Sequence, residues 1–157
     1  MKKQPGSRHC FVCGVENKFG LHVDFYSIDE RSIFAEIAIP EHFQGYPDTV
    51  HGGILATLLD ETLGRTFLSK DPERLMYTAK LNIKYRHPVP IETKLKIVGT
   101  IIKDRGRVGE AKAEVLNSDG KVLAEATGVV VNLPDDIHTD DLEEMGWKVY
   151  EDKKELI

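Results

Sequence analysis

The chain has 157 residues, 41% of them hydrophobic and 30% charged, which suits one folded domain of ordinary size and predicts no second one. Its 26 Asp and Glu against 21 Lys and Arg leave a net charge of -5, so there is no broad basic field and nucleic acid is not expected as a partner. No apolar run reaches the roughly 18 residues a bilayer span needs, and Met1-Lys2-Lys3-Gln4-Pro5-Gly6 leads into polar residues instead of a signal-peptide core, so a cytoplasmic protein is expected.

In chain order the first signal is a cysteine pair. Cys10 and Cys13 form one C-x-x-C followed by Gly14, with His9 beside it and His22 beyond. Four such groups can hold zinc, but the spacing fits no familiar finger and a second C-x-x-C is missing. No metal ligand is therefore assigned, and two reduced thiols packing a small turn are the favoured reading. A thioredoxin-like role is weaker still, since no βαβ pattern follows. Alternating Leu21, Val23 and Phe25 predict a first strand, and Phe34 to Ile39 a second, stopped by Pro40. A loop from Glu41 to Val50 feeds a helix from Gly52 to about Leu68, ended by Ser69-Lys70-Asp71-Pro72. Alternation resumes at Leu81, Ile83 and Tyr85, breaks at Pro88-Val89-Pro90 and returns at Leu95 and Ile97. Arg105-Gly106 predicts a turn, Val108 to Val115 a strand with Gly109 as a candidate bulge, Asn117 to Gly120 a hairpin turn, and Lys121 to Val131 a last strand. From Pro134 to Ile157 the chain reads as an acidic tail, solvated by default, with Leu142, Met145 and Trp147 able to dock a short helix. Two strands, one long helix and four strands on short turns imply an antiparallel sheet with the helix laid on one face, an α+β roll.

The helix carries the most chemical information. His51-Gly52-Gly53 opens it with backbone N–H groups that no side chain screens, at the positive end of the helix dipole, which suits an anion or a developing oxyanion. Two turns on, Asp60 stands among Leu58, Leu59 and Leu63, where a helix would ordinarily place leucine. An unpaired buried acid is expensive, so a functional role outweighs a structural one as its explanation. Helical rotation puts Gly53, Ala56, Thr57, Asp60, Gly64 and Phe67 on one side lined by small residues, and Leu55, Leu58, Leu59 and Thr62 on another. Glu61 is expected at solvent or in an ion pair. His51 serves more simply to orient the loop, while its residue type keeps a direct chemical role open. Gly52 and Asp60 are about 12 Å apart along the axis, so one carbonyl cannot touch both. Two antiparallel copies of the helix across a two-fold axis would join them, which predicts a site formed in a homo-oligomer, dimer or tetramer.

His51-Gly52-Gly53 with Asp60 nine residues after the histidine resembles the signature of the hotdog-fold acyl-CoA thioesterases of the phenylacetate-degradation (PaaI-like) and 4-hydroxybenzoyl-CoA type. The resemblance spans roughly Cys10 to Leu133. Tyr77 to Tyr85 followed by Pro88 resembles the strand after the family's helix, and Cys10-Phe11-Val12-Cys13-Gly14 with Asn17 and Gly20-Leu21 resembles a subgroup signature. It implies an antiparallel sheet wrapped around a long central helix, and hydrolysis of an acyl-CoA to free acid and CoA without cofactor. It also implies Asp60 as nucleophile or general base, the Gly52 N–H as oxyanion donor beside Gly53, and Thr78 as a polar residue near the attacking water or carboxylate. A thioester has a good leaving group, so one base or nucleophile and one donor suffice. Several family members carry Asn six residues before the histidine, where this chain has Gly45; Gln44 or Asp48 are candidates for that contact. The phosphates of CoA would meet Arg86 and His87 at one strand end, or Arg107 at a turn. Two other readings use the same fold: a non-catalytic acyl-CoA or acyl-lipid binding module, and a hydratase or dehydratase, whose Asp/His arrangement is absent around Asp60.

Overall fold

The computed structural model describes residues 1–134 and 139–152; Asp135 and Asp136 of the predicted tail lie outside the described residues. Strands β1 (Lys2–Lys3), β2 (Phe25–Ser27) and β3 (Ser32–Ala38) precede helix α1 (Gly52–Arg65), and β4 (Met76–Tyr85), β5 (Lys94–Asp104), β6 (Val108–Leu116) and β7 (Val122–Asn132) follow it. They form one antiparallel sheet in the order β1-β2-β3-β5-β6-β7-β4, with α1 packed across β4 to β7. This is the hotdog arrangement, and it is the α+β roll that the element order predicts.

Small residues on the inner face of the sheet explain how the helix sits so close. Ala111 and Ala113 of β6 and Ala124 and Ala126 of β7 are buried beneath it. Three glycines mark the closest approaches: a Cβ at Gly99 would lie 2.7 Å from Thr62, at Gly128 2.6 Å from Leu63, and at Gly109 2.3 Å from the Phe67 ring. Leu55, Leu58, Leu59 and Thr62 are buried on one side of α1, as the helical rotation predicts, and Leu63 is buried with them.

Three local expectations are corrected. Gly109 is no bulge, since it pairs regularly with Asp104 and Val130; its missing side chain makes room for Phe67. Phe67 leaves the small-residue side because α1 tightens into a 3-10 turn over Thr66–Ser69, and the changed rotation drives the ring into the core, where it is fully buried. Leu21 and Val23 are buried but not in a strand. His22 has a left-handed φ of 54°, and the two flanking N–H groups donate to Phe11 and Val12 carbonyls. The chain also opens with the two-residue β1, too short to leave a pattern. Beyond the sheet, α2 (Thr139–Glu144) leads to Trp147, whose indole N–H donates to the Pro72 carbonyl at 2.9 Å. Among the described residues no helix is long and apolar enough to cross a membrane.

Candidate active site

Strand β4 is the element that brings a hydroxyl to Asp60. Its pairing with β7 slips by one residue between Thr78 and Lys80, leaving Ala79 as the extra residue of a bulge. Strict alternation would send Lys80 and Asn82 inward if Thr78 faced in. The bulge resets the phase, so Thr78 and then Leu81 and Ile83 all turn toward α1. Thr78 Oγ1 donates to Asp60 Oδ1 at 2.6 Å, a charge-assisted bond that also fixes the carboxylate's direction. Asp60 is half-buried, more open than its leucine neighbours suggest, because it faces a cavity of about 510 Å3 instead of the sheet. Gly64, Leu68, Met76 and Tyr77 line the same space.

The start of α1 is built separately. His51 is tied down by its own N–H to the Phe43 carbonyl at 3.0 Å, and its Nδ1 accepts the Gly53 N–H at 2.9 Å. It therefore caps the helix, and the accepting nitrogen carries no hydrogen. The Ile54 and Leu55 N–H groups both turn back to the His51 carbonyl. The Gly52 N–H has no acceptor among the described residues, whereas the Gly53 N–H is already used, so Gly52 is the donor available to a ligand. Tyr85, whose role the sequence does not announce, donates its hydroxyl to the Gly52 carbonyl at 2.9 Å and lays its ring against the glycine. None of these helix-start residues lines the Asp60 cavity.

The remaining candidates separate by location. Gln44 turns its side-chain carbonyl to the Asp48 N–H at 3.1 Å, closing the loop that delivers His51. Asp48 itself sits in the left-handed region at φ 62°. Gly45 packs directly on the histidine: a Cβ there would lie 3.3 Å from His51 Cα and 3.4 Å from Cδ2. Arg86 and His87 follow Tyr85, near the helix start, with Arg86 paired to Glu125 at 2.9 Å. The neighbouring Glu125 raises the Arg86 guanidinium above its ordinary value. Arg107 lies at the other end of β4, where its carbonyl accepts the Asn132 N–H and Asn132 pairs with Met76. A ten-residue strand is about 30 Å long, so Arg107 cannot share one chain's phosphate site with Arg86 and His87.

Sequence reasoning also passes over Arg65, although its position seven residues after Leu58 places it on the buried stripe. It is 4% exposed; Nε pairs with Glu61 Oε1 at 2.7 Å, Nη1 donates to the Pro5 carbonyl at 2.8 Å, and the guanidinium lies over Phe25 and Trp147. Burial works against this charge, but Glu61 and Cys13 outweigh it and leave the group above its ordinary value.

Residues 48–124 match the thioesterase superfamily. Over 137 residues the chain is 30% identical to rat acyl-coenzyme A thioesterase THEM4, covering 86% of this chain and 58% of that protein. The chain spans about half the length of the curated relatives it matches. Among solved structures, a thioesterase superfamily protein superposes with a TM-score of 0.71 at 28% identity, over 79% of this chain and 63% of the other. A Streptococcus mutans protein crystallised with acetyl CoA superposes at 0.64 and 21% identity, over 71% and 88%, a likeness of fold alone. The matched residues run from the loop before His51 through Asp60 and Thr78 to Ala124, and with the helix-on-sheet architecture around them they form a thioesterase superfamily domain with the hotdog fold.

Proposed function

We propose that the chain is an acyl-CoA thioesterase, hydrolysing its substrate to a free acid and CoA in the cytoplasm, in a site shared between copies of a homodimer or a dimer of dimers. The observation that carries this reading is the pair Thr78–Asp60 facing a cavity, while the free Gly52 N–H stands about 12 Å away along the same helix. One copy supplies the carboxylate and a second copy the oxyanion donor. β4, which carries Thr78, is the outer strand of the sheet, and an edge of ten residues left unpaired among the described residues invites a second copy.

In this reading Thr78 aims Asp60 at the reacting centre. As a general base, Asp60 takes a proton from water as the oxygen attacks the thioester carbon. As a nucleophile, it attacks that carbon itself, and water later cleaves the anhydride. In both routes the carbonyl oxygen becomes an oxyanion held by the Gly52 N–H of the second copy, and collapse expels the CoA thiolate. His51 positions that donor by capping the helix, and Arg86 and His87 lie near enough to the helix start to meet CoA phosphates.

Thiol release from short, long, branched and aromatic acyl-CoAs, measured beside Asp60→Asn, tests the reading. Hydrolysis that collapses in the variant is expected. Acyl-CoA that binds without turnover in wild type would move the protein to the binding-module reading. Mixing Asp60→Ala with a Gly52-disrupted chain tests the sharing: exchange of subunits without recovered activity counts against it.

A further inference from the structure

The fold brings together three metal-ligating groups that sequence spacing left as two. Cys10 Sγ, Cys13 Sγ and a Glu61 carboxylate oxygen all lie within 4.8 Å of one another, and the three residues border the cavity that holds Asp60. We propose that Cys10, Cys13 and Glu61 bind a thiophilic divalent cation, zinc above all, with its fourth coordination position turned toward that cavity.

The cysteine loop is built as a rigid two-thiol claw. The Val12 N–H donates to Cys10 Sγ at 3.3 Å, the Gly14 N–H to the Cys10 carbonyl at 2.8 Å, and the Cys10 N–H to Ser7 Oγ at 3.2 Å. Gly14 is required by that closure, since a Cβ there would lie 2.3 Å from the Cys10 carbonyl oxygen. The loop is anchored outside the turn as well, through the Leu21 and Val23 N–H groups. Both thiols thus enter the site from one preformed segment, which lowers the ordering cost of binding.

Glu61 arrives oriented. Arg65 Nε holds Oε1 at 2.7 Å, and Oε2 stands 4.0 Å from Cys10 Sγ. Tetrahedral zinc, with bonds of roughly 2.3 Å to sulfur and 2.1 Å to oxygen, asks for sulfur–oxygen separations of about 3.6 Å, so small rotamer changes close the site. Fixing one oxygen through a buried donor is how an outer partner aims a metal-binding carboxylate.

The charges also balance. Two thiolates and a carboxylate bring three negative charges; a divalent cation and the buried Arg65 supply three positive ones. His9 and His22, the other ligands near the pair in sequence, stay out: His9 faces Glu16 at the surface. A soft two-sulfur donor set selects zinc or cobalt over magnesium or calcium.

The experiment is a titration of the reduced, chelator-treated full chain with Co2+, followed by Zn2+, and needs no acyl substrate. One equivalent of cobalt should bring thiolate-to-cobalt charge-transfer absorption and tetrahedral d–d bands, and one equivalent of zinc should abolish both. Cys10→Ser should lose the charge transfer of a two-thiolate site, and Glu61→Gln should weaken zinc binding by about tenfold or more. Zinc should also protect the two thiols of wild type from a thiol-specific disulfide reagent, a readout that requires no variant to fold. Absence of charge transfer in wild type, thiol labelling indifferent to zinc, or Glu61→Gln binding as tightly as wild type would each overturn the assignment.

Discussion

Replacing Thr78 by Val removes one hydroxyl and keeps the branched shape that a strand prefers. The lost bond is the 2.6 Å contact to Asp60 Oδ1, with a charged acceptor in a half-buried setting. Such bonds contribute about 1.5–3 kcal/mol, and the partial exposure argues for the lower half of that range. If Asp60 acts in the transition state, about 1.5–2 kcal/mol of lost positioning lowers kcat/KM by roughly 10- to 30-fold. The loss should fall on kcat, because Thr78 aims a reacting group and need not hold CoA. Steady-state thiol release from Thr78→Val gives the kinetic effect. Urea unfolding should find a stability change of about 1 kcal/mol or less, since valine is at least as good a strand former. Thr78→Ser, which keeps the donor, should recover most of the rate. Full kcat/KM in Thr78→Val would refute the argument that this bond prepares Asp60 for chemistry.

Gly109→Ala should destabilise the fold by about 1–3 kcal/mol, because the new methyl lands 2.3 Å from the buried Phe67 ring, which has nowhere to go. Chemical denaturation of the single variant beside Gly109→Ala/Phe67→Leu reads this out: the smaller side chain should return part of the loss, and a single variant as stable as wild type would contradict the packing. Arg74 donates to both Asp104 oxygens, at 2.7 and 3.0 Å, and holds that carboxyl down to about 2 from an ordinary 3.8. A depressed carboxyl contributes stability above its unfolded value and loses it as pH falls through its folded one. The stability gap between wild type and Arg74→Met should therefore be largest above pH ~4 and shrink between pH ~4 and ~2, with the pair itself worth no more than ~1 kcal/mol at this exposed site. Thermal melts across that range check the sign, and a gap independent of pH would assign Arg74's role to its packing over Phe67 alone.

Much of this protein is determined locally and is legible in the chain itself. Alternating apolar residues, the Asn117-Ser118-Asp119-Gly120 turn and the glycine-opened helix specify an antiparallel sheet with one helix, because strand and helix periods imprint directly on residue order. The same periodicity singled out Asp60 and the Gly52 helix start, and fixed their separation, since a helix advances by a constant rise. What the chain alone left undecided involves residues brought together by long-range packing or shifted by a break in periodicity. The Ala79 bulge turns Thr78 toward Asp60, and the 3-10 turn sends Phe67 into the core against Gly109. Glu61, 51 residues from Cys10, meets the two thiols only because the first loop folds against α1. Arg65 keeps its charge in the interior because Glu61, the Pro5 carbonyl and two aromatic rings converge on it. Periodicity is a property of neighbours along the chain, whereas these sites depend on partners that only the tertiary structure supplies.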